Sequence, residues 1–166
     1  MPTPYYQDQN ITLYHGDCID LAETWAQADT LVTDPPYGIK WVGVANYTAG
    51  NRTASNGSPI ANDDSLEVRD KALEIWGTKP AAVFGTWRKP APPKVKHRLI
   101  WWKQGQAPGP ANCAFMLQDE EIYILGEGWR KSSPPMRSVI ATKESRSVAV
   151  QQIGHPTPKP VANAIS

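Results

Sequence analysis

Asp34-Pro35-Pro36-Tyr37, closed by Gly38, follows a short apolar run at Leu31-Val32. Each proline fixes its own φ and pushes its predecessor toward extended geometry, so the tetrapeptide is stiff. Prolines donate no hydrogen bond, yet their carbonyls accept. The segment therefore offers two acceptors, the Asp34 carboxylate and the Pro35 carbonyl, beside one aromatic face, Tyr37. Gly38 lets the chain turn away. Such a rim suits a planar ligand bearing an NH2 group: the acceptors take its hydrogens while the ring stacks on its face. The exocyclic amine of a nucleobase is such a ligand. Its lone pair is delocalised, and two acceptors would favour a pyramidal nitrogen and stabilise the charge that develops as it attacks a methyl donor. The base would have to leave the duplex stack to reach the rim. A proline-rich turn after a strand accounts for the four residues equally well.

A second proline-stiffened stretch, residues 155–161, is expected to open a helix near the end of the chain. Thr157 and Lys159 there suit an anion, because a cationic amine and helix N-terminal amides both favour negative charge. His155 reads as a backbone-orienting residue, with no partner for base chemistry. Trp41 and Tyr47 are placed to contact an everted base or its neighbours. Lys94, Lys96, Arg98, Arg130, Lys131 and Arg137 are candidate phosphate contacts, which would position DNA without reading its sequence. Trp101, Trp102 and Trp129 could stack on bases. Adjacent strand residues face opposite ways, however, and core packing is the default for both of the first two. His15 and His97 lack metal-ligand spacing.

The elements that must hold these groups follow from periodicity. The chain has 166 residues, 40% hydrophobic and 20% charged, which suits one globular domain. Two cysteines, Cys18 and Cys113, do not make a disulfide framework or a structural zinc site. No stretch is long enough to span a bilayer and no early apolar run resembles a signal peptide, so an intracellular protein is expected. Residues 1–78 carry 4 Lys and Arg against 11 Asp and Glu, a net −7; residues 79–166 carry 13 against 5, a net +8. That asymmetry indicates either a polyanion partner for the second half or two halves that pack on each other.

Strands are expected over "NITLY", "DTLVTD", "AAVFG", "HRLIWWKQ" and "EEIYILGEG". Helices are expected around residues 19–26 and 63–77, the second opened by Asp63-Asp64. Residues 43–63 are small and polar, the composition of a long mobile loop. Residues 86–97 and 128–152 are basic and poorly periodic, and are candidate DNA-contacting segments. The alternation predicts an α/β fold with a mainly parallel sheet, whose ligands bind at the carboxyl ends of strands. Asp34 stands at such an end.

The Asp34–Gly38 stretch resembles the catalytic motif of DNA amino-methyltransferases, which act on the amino groups of adenine or cytosine. Residues 155–161, "HPTPKPV", resemble the motif beside the methionine part of S-adenosylmethionine, and "HGDCIDLAE" at 15–23 is similar to the Gly-Asp segment near the cofactor adenosine. Their order is that of the permuted β-group. The resemblance implies part of a Rossmann-like methyltransferase fold with an antiparallel hairpin, one catalytic domain over 1–166. It further implies S-adenosylmethionine held by Asp17, Cys18, Asp34, His155, Thr157 and Lys159, catalysis at Asp34, Pro35, Pro36 and Tyr37, double-stranded DNA as partner, and no metal. The implied setting is the cytoplasm of a bacterial or phage-infected cell, close to the nucleoid. Asp before the prolines favours adenine; cytosine or RNA are the alternatives. No GxGxxG-like loop occurs in the sequence, so the resemblance also implies a chain incomplete at its C-terminus, or a non-catalytic remnant or half of a split enzyme.

Overall fold

The computed structural model describes residues 2–41, 47–48, 51–52, 59–104, 114–115 and 118–142. Its elements run β1 (Tyr6–Gln7), β2 (Thr12–Leu13), α1 (Ala22–Trp25), β3 (Leu31–Thr33), β4 (Tyr47–Thr48), β5 (Asn51–Arg52), α2 (Glu67–Trp76), β6 (Ala81–Gly85), β7 (His97–Lys103), β8 (Asp119–Leu125) and β9 (Val139–Thr142). Two short ladders, β1–β2 and β4–β5, are antiparallel. The central sheet has five strands in the order β3-β6-β8-β7-β9. β3 pairs with β6 and β7 with β9 in parallel, whereas β8 is antiparallel to both β6 and β7. Four strands therefore point one way and β8 alone opposes them. This is the expected α/β fold with an antiparallel hairpin, and its sheet is mixed, with two parallel and two antiparallel pairings.

β3, α2 and β6 form a strand–helix–strand unit of Rossmann-like type, with Leu31, Val32 and Thr33 opposite Ala81, Ala82 and Val83. Alternation along β6 and β8 sends successive side chains to opposite faces. On one face Ala81, Val83, Tyr123 and Leu125 pack with Trp76 of α2, joined by Trp25, Leu31, Leu73 and Val95. On the other, Leu99, Trp101 and Ile122 gather Ala82, Phe84, Ile124 and Ile140. Arg69, Leu73 and Trp76 recur at helical spacing, so α2 turns one stripe inward. Burying a large apolar side chain contributes roughly 1.5–3 kcal/mol, far more than the propensity of one short helix. The two indole rings of Trp25 and Trp76 stack with centroids 6.2 Å apart. Lys79 fastens the same corner: its Nζ donates to the carbonyls of Ala26 at 2.6 Å and Ala28 at 2.8 Å, and lies 3.9 Å from the Trp76 ring centroid.

Several expectations are corrected. The first helix has only four residues, Ala22–Trp25. The second starts at Glu67, not at the Asp63-Asp64 pair, because Asp63 is engaged elsewhere. β1, the β4–β5 ladder within 43–63, and β9 within 128–152 are strands where none was expected. Each is two to four residues long, too short to show a period of two. Trp101 is 6% exposed and Trp102 43%, so the alternation argument holds and the default of core for both fails for Trp102. Among the described residues, no helix is long and apolar enough to cross a membrane.

Candidate functional site

Asp34 follows the last residue of β3, and its side chain is exposed at the carboxyl end of the sheet. β6 runs on beside it through Phe84 and Gly85, which pair with Ile122 and Glu121 of β8. The amino end of β8 and the carboxyl end of β7 meet at the same edge, where Trp101 faces Glu120 and Trp102 faces Asp119. Topology thus brings the corner, the start of residues 86–97 and one end of the hairpin to a single edge. A shallow cleft lies there. Pro36 and Tyr37 line it with Leu66 just before α2, Arg69 of α2, Phe84 and Gly85 of β6, Thr86 and Lys89. A Cβ on Gly85 would stand 2.5 Å from Cε2 of Tyr123, so only glycine allows that ring to cross β6.

The Tyr37 hydroxyl donates to Oδ1 of Asp34 at 2.7 Å. Burial, then the charges of Glu120 and Asp34 with their hydrogen bonds, pushes the Tyr37 phenol far above its ordinary value of 10.0. The ring therefore stays neutral. Glu120 is in turn paired with Lys103, whose ammonium is 4.6 Å from the Trp101 ring centroid. Asp34 is thus already an acceptor of one hydroxyl donor, beside an aromatic face and within reach of a second carboxylate.

What holds the corner is a residue that sequence reasoning missed. Asp63, 4% exposed, receives the amide of Gly38 on Oδ1 at 2.7 Å, that of Ile39 on the same oxygen at 3.4 Å, and that of Trp41 on Oδ2 at 2.6 Å. Its backbone carbonyl accepts the amide of Lys40 at 2.7 Å. Four consecutive amides end on one residue. Gly38 (φ 69°) and Lys40 (φ 55°) are left-handed, which turns successive N–H groups toward one point. A Cβ on Gly38 would lie 3.0 Å from the carbonyl carbon and oxygen of Ser65. The sequence signal was there, in a glycine after the motif and an acid ahead of α2, but the acid read as a helix-start residue. Arg69 was also missed as a lining residue. Its guanidinium binds the Asp70 carboxylate at 2.7 Å and the Pro90 carbonyl at 2.9 Å, tying α2 to residues 86–97.

The other expected site residues are scattered. Asp17 and Cys18 lie in the exposed turn before α1, where Oδ1 of Asp17 accepts the amide of Ile19 at 2.8 Å. Desolvation, reinforced by the Asp17 charge, raises the Cys18 thiol above its usual value of 9.0. Trp41 is half-buried beside the Asp63 knot. Tyr47 is in β4, and its side chain lies outside the described residues, as do His155, Thr157 and Lys159. Lys96 pairs with Glu127. Arg98 bridges to Glu121, a carboxylate 5% exposed that also accepts the Tyr123 hydroxyl, so that one nitrogen of the largely exposed guanidinium is engaged within the fold. Lys94, Arg130, Lys131 and Arg137 are exposed. Among the described residues, no group of three His, Cys, Asp or Glu side chains could hold a metal ion.

No family model matches the chain, and no curated protein does. Among solved structures it is similar to the crystal structure of the M1.HpyAVI–SAM complex. The TM-score is 0.46 at 15% sequence identity, over 79% of this chain and 64% of that one. The chain thus spans less than two thirds of that protein's length. A likeness this distant assigns no activity to it.

Proposed function

We propose that the chain carries the base-handling face of an S-adenosylmethionine-dependent methyltransferase that acts on the exocyclic amine of adenine in double-stranded DNA. The hydrogen bond from the Tyr37 hydroxyl to Asp34 carries this reading. It places a directed acceptor and a neutral aromatic ring side by side at the carboxyl edge of the sheet. An entering amine takes over that acceptor. Asp34 and the Pro35 carbonyl hold its two hydrogens, Tyr37 stacks on the base, and Asp34 can receive the proton released as the nitrogen is alkylated. S-adenosylmethionine supplies the electrophilic methyl group. Asp17 has the chemistry for a ribose hydroxyl or an adenine amine, and its bond to Ile19 fixes the carboxylate's direction. The resemblance adds Cys18, Asp34, His155, Thr157 and Lys159 to that set. Lys94, Arg130, Lys131 and Arg137 are exposed and available for backbone phosphates, while Lys96 and Arg98, also exposed, would first have to exchange a carboxylate for a phosphate.

A second reading, half of a split enzyme, draws on the open flank of β3. Among the described residues this strand is paired on one side only, and Val32 is 69% exposed. A strand from another chain could complete the sheet there and bring the glycine-rich cofactor loop.

Methylation-sensitive sequencing of DNA from cells expressing the gene tests both. N6-methyladenine in one sequence context, lost with Asp34→Ala, is the expected result. Undiminished methylation by Asp34→Ala refutes the role of the corner, and methylcytosine in place of methyladenine corrects the base. Methylation that appears only when a second chain is supplied selects the split enzyme.

A further inference from the structure

Asp63 lies more than twenty residues from the acceptor corner in sequence, yet it controls the chain immediately after it. Pro35 and Pro36 have no amide, so the first N–H groups that can be tied down after Tyr37 are those of Gly38 to Trp41. All four end on Asp63. Among the described residues the partners of its carboxylate are backbone amides, not a cation. A charge withdrawn from water in this way survives only if its hydrogen bonds are well made, and charge-assisted bonds are directional. The carboxylate thereby sets the path of residues 38–41. With the prolines stiff on the other side, that path fixes the direction of the Tyr37 ring.

We propose that Asp63 is a positioning residue for the Asp34–Tyr37 corner: by gathering the amides that follow the motif, its buried carboxylate sets the angle at which Tyr37 and Asp34 meet the target base. This rests on the methyl-transfer reading for its purpose but not for its geometry. Asp63 touches neither Asp34 nor Tyr37 through its side-chain hydrogen bonds, so its influence passes through the backbone of residues 38–41.

The test uses the whole 166-residue chain. In the unmodified protein, NMR couplings across hydrogen bonds from the Gly38 and Trp41 amide nitrogens to the Asp63 side-chain carboxyl carbon are expected; their absence overturns the proposal. Asp63→Asn keeps the shape but loses the charge and one acceptor. It should speed amide exchange at Gly38 and Trp41 by about tenfold or more, as loss of a charge-assisted bond implies. It should also shift the Tyr37 ring and Asp34 carboxyl resonances, two groups it does not contact. Unmoved Tyr37 and Asp34 signals overturn the proposal even if activity falls. In methyl transfer from labelled S-adenosylmethionine, kcat should drop about 10- to 100-fold while KM for DNA changes little, since misalignment acts on the reacting geometry. Unchanged kcat overturns the proposal. If the unmodified chain transfers no methyl group, alone or with a second chain that supplies the cofactor loop, the functional reading fails while the resonance shifts still decide the role of Asp63. If Asp63→Asn does not fold, the couplings in the unmodified chain decide it.

Discussion

Asp34 and Asp63 are the same residue type in opposite settings. Asp34 stands exposed at the tip of β3, where it accepts a hydroxyl from its own motif. Asp63 is buried, and its carboxylate and carbonyl take four consecutive amides. One faces outward; the other is spent inward on backbone amides. The contrast shows how a rigid acceptor is made. The carboxylate at the strand tip takes its direction from the Tyr37 hydroxyl, and on our proposal the path that aims Tyr37 is set by a second carboxylate withdrawn from solvent.

Substitutions should separate the two roles. Asp34→Ala is expected to cut methyl transfer by about 10²–10³-fold, the usual cost of one preorganised group at developing charge. Its effect on folding should be about 1 kcal/mol, the net worth of the Tyr37 hydrogen bond it removes, because the side chain is otherwise exposed. Urea titration beside a turnover assay checks both, and a large stability loss would erase the distinction. Asp63→Ala should do the reverse at equilibrium. It strands the buried amide of Gly38 and the partly buried ones of Ile39 and Trp41, and lowers stability by on the order of 3 kcal/mol, at about 1–3 kcal/mol for each group left unpaired. Gly38→Ala strikes the same knot through the backbone. Its left-handed φ and the Ser65 backbone at 3.0 Å predict a loss of roughly 2 kcal/mol.

The smallest effect is spectroscopic and concerns Tyr37, the link between the two. In an alkaline titration read by phenolate absorbance, Tyr37 should remain protonated after ordinary tyrosines have ionised, and Tyr123, pushed up to about 12 by burial and by its bond to Glu121, should follow the ordinary ones. The sign for stability follows. Above the ordinary value of 10.0 the unfolded chain sheds protons that the folded chain keeps on Tyr37 and Tyr123, so stability falls as pH rises through this range. Ionisation of every tyrosine near 10 in the native protein would show Tyr37 to be in water, and the corner to be open.

The strands with several consecutive apolar residues, β6 to β8, and helix α2 were legible because burial imposes periods of two and 3.6 on long enough runs. The motif itself was legible for a different reason. Two prolines, an acid, an aromatic residue and a glycine fix torsions and donor counts locally, whatever surrounds them. Strands of two to four residues were not legible, since so few positions carry no period; β9 and the β4–β5 ladder are examples. Nor was the fate of individual charges. Arg98 reads as a phosphate contact until the register of β7 on β8 brings it to Glu121, and Asp63 reads as a helix-start acid until the chain folds it beneath Gly38.

The amino-acid order by itself determined the stiffness of the corner, its acceptors and its aromatic face, because these are properties of a few bonded residues. Only the tertiary structure decided which way that corner looks, which cations are already spent, and which carboxylate is withdrawn from water. Those depend on groups far apart in the chain, and their pairing energies exist only once packing has excluded the solvent.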